Sequence, residues 1–302
     1  MNKFQANALL MVAAIIWGTT FVVQQVGTGG LEAIMFTGVR TLVGACFILP
    51  MALRQFQKVR RGDHIFTVSD WLGICATGLI LFTAAALQQY GIFHTTVTNA
   101  GFLTALYVPL VPIISLVILR RKVHWSVWPA SVCCLVGTYI MSGAQGLDLR
   151  VGDLWVIASS LFWALHVILV GRMAMRTQAP LVVACGQFFA CGISGTLLGL
   201  LIETPTVADF SGALFGILYA GLLSTGVGFT LQVVGQRYTH EAYAAIILSS
   251  ETVFAGIAGF IFLGERLSMF EMMGAALIFA GIIAVQLLPM LRAKARTLEP
   301  EM

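Results

Sequence analysis

Residues 241–283 read EAYAAIILSSETVFAGIAGFIFLGERLSMFEMMGAALIFAGII. An apolar run climbs from Ala242 to Leu263, the polar turn Gly264-Glu265-Arg266 breaks it, and a second apolar run follows to Leu288. Each run holds about 20 residues, enough to cross a hydrocarbon core ~30 Å thick at ~1.5 Å per residue. One carboxylate, Glu251, sits in the middle of the first run. A charge at that depth costs roughly 2.5–3.5 kcal/mol on insertion scales. It therefore needs a partner, a proton or a water-filled cavity.

The rest of the chain extends this pattern. Of its 302 residues, 59% are hydrophobic and 10% charged. A soluble domain carries about 45–50% apolar and about 25% charged residues. The composition is that of an all-α integral membrane protein. Ten apolar runs lie at about 6–26, 33–53, 71–90, 97–119, 123–141, 154–170, 181–202, 211–234, 242–263 and 270–288. The first is longer than the ~7–15 residues of a signal-peptide core, so it is kept as a span. Cys46, Cys75, Cys133, Cys134, Cys185 and Cys191 all fall inside runs without metal-ligand spacing. They read as small packing residues, with neither a disulfide frame nor a metal site.

Basic residues set the expected orientation. With the N-terminus in the cytoplasm, 14 of the 17 Lys and Arg fall on the cytoplasmic side, and only Arg150 and Arg266 fall outside. Arg40 lies within a span. That bias predicts both termini in the cytoplasm of a multi-pass protein of the cytoplasmic (inner) membrane. The net charge of +4 belongs to these loops and does not point to nucleic acid.

The chain also resembles itself. At an offset of 144, Leu87-Gln88 matches Leu231-Gln232, Gly91 matches Gly235, Ala100 matches Ala244 and Gly137 matches Gly281. Lys122 faces Arg266 at the same offset, Trp17 faces Trp163 at 146, and Arg40 faces Gln187 at 147. Each half, residues 1–145 and 146–302, holds five spans. Five is odd, so the halves enter the membrane in opposite directions. The expectation is two five-helix inverted repeats around a central cavity, an arrangement that places substrate near the midplane.

The stretch around Glu251 resembles the C-terminal signature of EamA-type drug/metabolite transporters. The resemblance rests on Leu248-Ser249-Ser250-Glu251, Val253-Phe254-Ala255, Leu263-Gly264-Glu265-Arg266-Leu267, Gly274 and Gly281, with Ile16-Trp17-Gly18-Thr19-Thr20-Phe21 in span one and Arg40 in span two. Where the family pattern has a proline after the glutamate, this chain has Thr252, so no proline kink is implied there. The resemblance implies secondary transport, often export of amino acids and related metabolites. Within the family the chain is similar to exporters of the YddG kind, which move aromatic and other neutral amino acids. Multidrug or cation efflux, or another metabolite such as a nucleoside or sugar, is the alternative on the same scaffold. No GxxxxGK[ST], HExxH or GxSxG pattern occurs, so neither ATP hydrolysis nor an intramembrane enzyme is expected. No cofactor is implied. The expected partners are a small-molecule substrate and the lipid bilayer, with the protein a monomer or homodimer.

Candidate residues follow from helical spacing. Glu251 reads as a cavity carboxylate that attracts an ammonium group or carries a coupling proton, or as a structural charge held by helix packing. Arg40, about 12 Å from the outer end of its span at helical rise, either pairs with Glu251 or backbone carbonyls, or docks a substrate carboxylate through its fork of donors. Trp17, Thr20 and Gln24 share one face of span one, as Ser159, Trp163, His166 and Val170 share one of span six. The two indoles suit a cavity for apolar, aromatic or cationic groups, or pack between helices. Asn99 and Tyr107 in span four have Tyr243 and Glu251 as mates and read as cavity or gate residues, or as polar groups at the membrane surface. Thr225, Phe229 and Gln232 share a face of span eight, and Gln88, Gln89 and Tyr90 lie near the end of span three. Pro109 and Pro112 remove the donors that Ala105 and Val108 would use, so span four should kink, with Gly256 and Gly259 as the corresponding hinge in span nine. Gly195 and Gly199, and Gly274 and Gly281, are small-residue faces for helix packing or a dimer.

Overall fold

The computed structural model describes residues 1–61, 65–95, 97–141, 150–263 and 268–298; the side chains of 97–99, 263 and 289–298 are outside that description. The turn at Gly264–Leu267 and the proposed boundary between residues 145 and 146 therefore lie outside the described residues. The helices are α1 (Lys3–Val26), α2 (Ala33–Arg61), α3 (Val68–Phe93), α4 (Val97–Thr104), α5 (Tyr107–Val117), α6 (Val127–Met141), α7 (Val151–Thr177), α8 (Pro180–Ile202), α9 (Val207–Leu218), α10 (Thr230–Gln236), α11 (Glu241–Leu248), α12 (Glu251–Leu263) and α13 (Met269–Leu298). A π-helical stretch, Tyr219–Phe229, joins α9 to α10. Among the described residues nine helical segments are long and apolar enough to cross a membrane, and Val127–Met141 is a shorter tenth. All ten expected runs are therefore helical. Helix suits them because lipid offers no partner to backbone N–H and C=O groups, and a helix satisfies its own.

Local chemistry sets the ends. Asn2 with Gln5, Thr67 with Asp70 and Thr206 with Asp209 form capping boxes at the starts of α1, α3 and α9. Within the bundle, buried threonines return their hydroxyls to the carbonyl four residues back, as Thr41 does to Thr37 (2.6 Å) and Thr138 to Cys134 (2.7 Å). This gives those hydroxyls a partner inside an apolar bundle.

Spans four and nine are each interrupted at the same place in the repeat. α4 and α5 meet at Ala105-Leu106, and α11 and α12 meet at Ser249-Ser250, 144 residues later. Both joints tighten through two bonds that span three residues instead of four. The N–H groups of Leu106 and Val108 reach Leu103 and Ala105, three residues back, and those of Ser250 and Thr252 reach Ile247 and Ser249 in the same way. The causes differ. Pro109 has no N–H to offer Ala105, so the first joint forms one turn ahead of it, while Pro112 is carried inside α5. In the second joint Ser249 and Ser250 give their hydroxyls to Ile246 and Ile247 (both 2.7 Å), competing with the backbone ladder. A serine pair thus replaces the missing proline. Gly256 and Gly259, expected to form this hinge, lie inside α12 instead.

Hydrogen bonds between helix ends sort into two faces. On one face Asn7 meets Gln286 and Thr239, Gln55 meets Leu181, Asp70 meets Arg176, and Arg121 meets Glu241. On the other, Glu203 meets Ile34 and Met35, and Thr95 meets Asp153. α1 thus starts on the first face and α7 on the second. Mates also pack on mates: α2 on α8, and α6 on α13. Close approach there depends on glycine. A Cβ on Gly38 would lie 2.3 Å from the Thr196 nitrogen, and one on Gly137 would lie 2.6 Å from the Gly274 oxygen. Gly195, Gly199, Gly274 and Gly281 are all occupied by such contacts within the chain.

Candidate functional site

A cavity opens where α1, α2, α3, α7, the π-helical stretch and the two joints converge. It encloses about 520 Å³ of space not filled by atoms, its open mouth included. Its wall is built largely from repeat mates: Trp17 with Trp163, Phe21 with Val167, Gln88 with Gln232, Thr104 with Leu248, and Tyr107 with Glu251. Thr20, Gln24, Arg40, Ser224 and Phe229 complete it. The joints present Thr104 and Tyr107 from one side and Leu248 and Glu251 from the other.

The aromatic part of the wall is one stack. The Phe229 ring lies between the indoles, 4.5 Å from Trp17 and 5.9 Å from Trp163, nearly parallel to the latter at 13°. The polar part is only partly satisfied. Gln24 and Gln89 exchange hydrogen bonds, with Gln24 Nε2 donating to Gln89 Oε1 (2.9 Å) and Gln89 Nε2 to the Gln24 carbonyl (3.0 Å). Gln88 Nε2 donates to Thr104 Oγ1 at 2.8 Å. Arg40 Nε, Trp163 Nε1 and Gln232 Oε1 are buried without a hydrogen-bond partner. Buried polar atoms are usually paired, and three of the unpaired ones among the described residues belong to this wall.

Two opposite charges face this space. Arg40 is 4% exposed and Glu251 is 7% exposed. The ion pairs among the described residues are Arg121–Glu241, Arg176–Asp70 and His240–Glu241, and none involves Arg40 or Glu251. Arg40 instead lies over the Phe36 ring, 5.7 Å from its centroid. The expected structural pairing of Arg40 with Glu251 is therefore not formed.

The structure brings Trp17, Thr20, Gln24, Arg40, Gln88, Tyr107, Trp163, Phe229, Gln232 and Glu251 to one wall and leaves His166, Tyr243 and Thr225 elsewhere. His166 is fully buried behind the stack, with Nε2 and Gln187 Oε1 2.9 Å apart. Tyr243 sits near His240, whose ring centroid is 6.1 Å away, at the start of α11. Thr225 packs its methyl against Gly44 of α2. Its neighbour Ser224 lines the cavity instead because the segment is π-helical. Counting back from Phe229, α spacing gives residue 225, whereas π spacing gives 224. The side chain of Asn99 is outside the described residues. Phe21, Thr104, Val167 and Leu248 carry no charge, amide or indole to set them apart in the sequence. The repeat offset alone ties Val167 to Phe21, and Leu248 to Thr104.

Ten spans in two similar halves, with a polar-aromatic cavity at their meeting point, define a multi-pass membrane protein of the transporter class. The profile of the EamA-like transporter family matches residues 5–143 and again 150–287. The chain belongs to that family. It is 29% identical to an uncharacterized transporter of Archaeoglobus fulgidus over 287 residues, 95% of this chain and 87% of that protein. It is 25% identical to the uncharacterized transporter YwfM of Bacillus subtilis, over 94% of each. One solved crystal structure superposes with a TM-score of 0.76 over 94% of this chain and 97% of that one, at 17% identity, and so shares the fold.

Proposed function

We propose that this membrane transporter exports small neutral metabolites, above all amino acids with aromatic and other neutral side chains, across the cytoplasmic membrane by alternating access. One observation carries the reading. The cavity lies between two tightened joints at equivalent positions of the two repeats, and its wall combines an aromatic stack with unpaired polar atoms. Such joints give each half a place to bend, and rocking one half against the other would expose the cavity to each side in turn. One chain builds the whole cavity, so a monomer is the proposed transporting unit. The basic-residue bias supports cytoplasmic termini. Cation efflux is the second reading, and the unpaired Glu251 favours it; Arg40 in the same wall repels such a cargo.

The test is uptake of a labelled amino-acid panel into liposomes holding the purified protein, with and without a pH gradient at clamped potential. Saturable uptake of neutral amino acids is expected. Absence of uptake for the whole panel would sink the proposed cargo. Uptake indifferent to the gradient would assign passive exchange, and Glu251→Gln would then read the need for a charge separately from the need for shape.

A further inference from the structure

The guanidinium of Arg40 is a charged group in the wall of the cavity whose buried Nε is left unpaired. It is nearly fully buried, two turns into the 29-residue α2. Its Nε has no hydrogen-bond partner, and it forms no ion pair among the described residues. Packing does not account for it. Beside it, Thr41 bonds its own helix at the Thr37 carbonyl, and Thr20 across the cavity bonds the Ile16 carbonyl (2.7 Å). Neither hydroxyl oxygen accepts a bond from the guanidinium, and Glu251 in the same wall forms no ion pair with it. An arginine retained inside a membrane without an acceptor is a group whose acceptor arrives from elsewhere.

The cavity says what kind of acceptor. A guanidinium presents a planar fork of donors that matches a carboxylate in two parallel bonds. The rest of the wall offers an apolar stack of Trp17, Phe229 and Trp163 and amide groups from Gln88 and Gln232, with no second cation. One cation against one carboxylate, Glu251, leaves little attraction for a multiply charged phosphate. We infer that Arg40 is the docking residue for the carboxylate of the transported molecule, and that the cargo is a small monocarboxylate with an apolar or aromatic body. The inference rests on the transport reading above and narrows it. A zwitterion fits best, because its ammonium group answers Glu251 while its carboxylate answers Arg40.

Three solutes that share one side chain separate the possibilities: L-phenylalanine, its amide, and 3-phenylpropanoate, which lacks the amino group. Binding is read by calorimetry on the purified protein and transport by uptake into liposomes, for the wild type, Arg40→Gln and Arg40→Lys. The wild type is expected to bind the amino acid roughly 10- to 100-fold tighter than the amide, the range of a charge-assisted hydrogen bond converted to affinity. In Arg40→Gln the acid should fall to the level of the amide, and the amide itself should change little. Arg40→Lys should recover part of the preference, since the charge survives and the fork does not. A structural role would weaken acid and amide alike and leave their ratio unchanged, which would overturn the inference. So would a wild type that binds the amide as tightly as the acid, or that binds none of the three. The wild-type comparison stands even if a variant does not fold. Transport of 3-phenylpropanoate but not of the amino acid would remove the amino-acid reading and leave Arg40 in its role. Transport of the amino acid with the acid-to-amide ratio intact in Arg40→Gln would do the reverse.

Discussion

Thr20 and Arg40 in the first repeat occupy the positions that His166 and Gln187 occupy in the second. In the second repeat the two side chains bond each other at 2.9 Å and withdraw behind the aromatic stack. In the first, Thr20 bonds its own helix and Arg40 is left with its Nε unpaired in the cavity wall. The scaffold is the same, so the difference lies in chemistry. Imidazole and amide share one hydrogen bond, although His166 Nδ1 and Gln187 Nε2 keep no partner among the described residues, whereas no bond joins Thr20 to the guanidinium. One corner is tied to itself by that bond and withdrawn from the cavity, and the other stands in the cavity wall. The symmetry of the fold thus exposes where symmetry was given up.

Copying one corner into the other should break this comparison most severely. Gln187→Arg would place a guanidinium where the side chain is fully buried, behind Phe188 and Phe229 rather than in the wall. A buried charge with no partner costs on the order of 3–5 kcal/mol. The variant is expected to unfold far more readily in detergent, or to yield no folded protein. Arg40→Gln is expected to keep or raise thermal stability, because it removes a buried charge that has no ion-pair partner among the described residues. If Gln187→Arg melts like the wild type, the second corner is as open as the first and the contrast is wrong.

Next in size is the loss of the element that the two corners share. Phe229 touches both indoles, His166 and Phe188. Phe229→Ala should cost about 3 kcal/mol or more, as removal of a buried phenylalanine does. It should also weaken binding of aromatic solutes. Phe229→Leu keeps most of the volume and should restore stability more than it restores aromatic preference. Equal recovery of both would mean that Phe229 fills space and does not select.

Much of this architecture is legible in the sequence. The ten spans follow from run lengths, because lipid admits hardly any backbone but helix, and the repeat follows from Gln88 with Gln232 and Trp17 with Trp163. Ten wall residues follow because a polar or aromatic group in mid-span is costly against lipid and turns inward. The rest depends on geometry that spacing does not encode. Spacing misplaces the second joint because glycine is only permissive, whereas Ser249 and Ser250 actively divert carbonyls. His166 reads as available within its own span because its partner Gln187 lies 21 residues away on another helix. Val167 and Leu248 are ordinary apolar residues that only their position makes part of the wall.

The same contrast between halves recurs at the bundle ends, with a smaller consequence. Gln55, at the end of α2, accepts the N–H of Leu181 at the start of α8 (2.8 Å). Glu203, at the end of α8, accepts those of Ile34 and Met35 at the start of α2 (2.9 and 2.7 Å). One repeat caps with a neutral amide and the other with a carboxyl group. Burial pushes the Glu203 carboxyl above the ordinary carboxylate range, although the two N–H donors oppose the shift. A raised folded-state value means that folding favours the protonated form. The associated stability is present below the unfolded-state value and is lost as pH rises through the raised one. Melting temperatures between pH 4 and 7 should therefore carry a downward component with rising pH that Glu203→Gln removes and Gln55→Ala does not. An unchanged pH profile in Glu203→Gln would assign that component to another group.

The smallest expected effect tests the register that separates Ser224 from Thr225. The methyl of Thr225 lies where a Cβ on Gly44 would meet it at 2.5 Å, so it fills the contact between the π-helical stretch and α2. Thr225→Ser removes one buried methyl, worth about 0.8 kcal/mol of stability, and should leave transport unchanged. Ser224→Val adds bulk to the cavity wall and should lower the transport rate with little change in melting temperature. The two readouts exchange places if the segment keeps α spacing during transport. In that event Thr225 would face the cargo and Ser224 would pack on α2. A π-helical turn carries one surplus residue per turn, and losing it would rotate the segment ahead of it by about one residue position. A swap of phenotypes between these adjacent positions would therefore show that the π turn is a moving part, whereas the expected division shows that it is a fixed part of the wall.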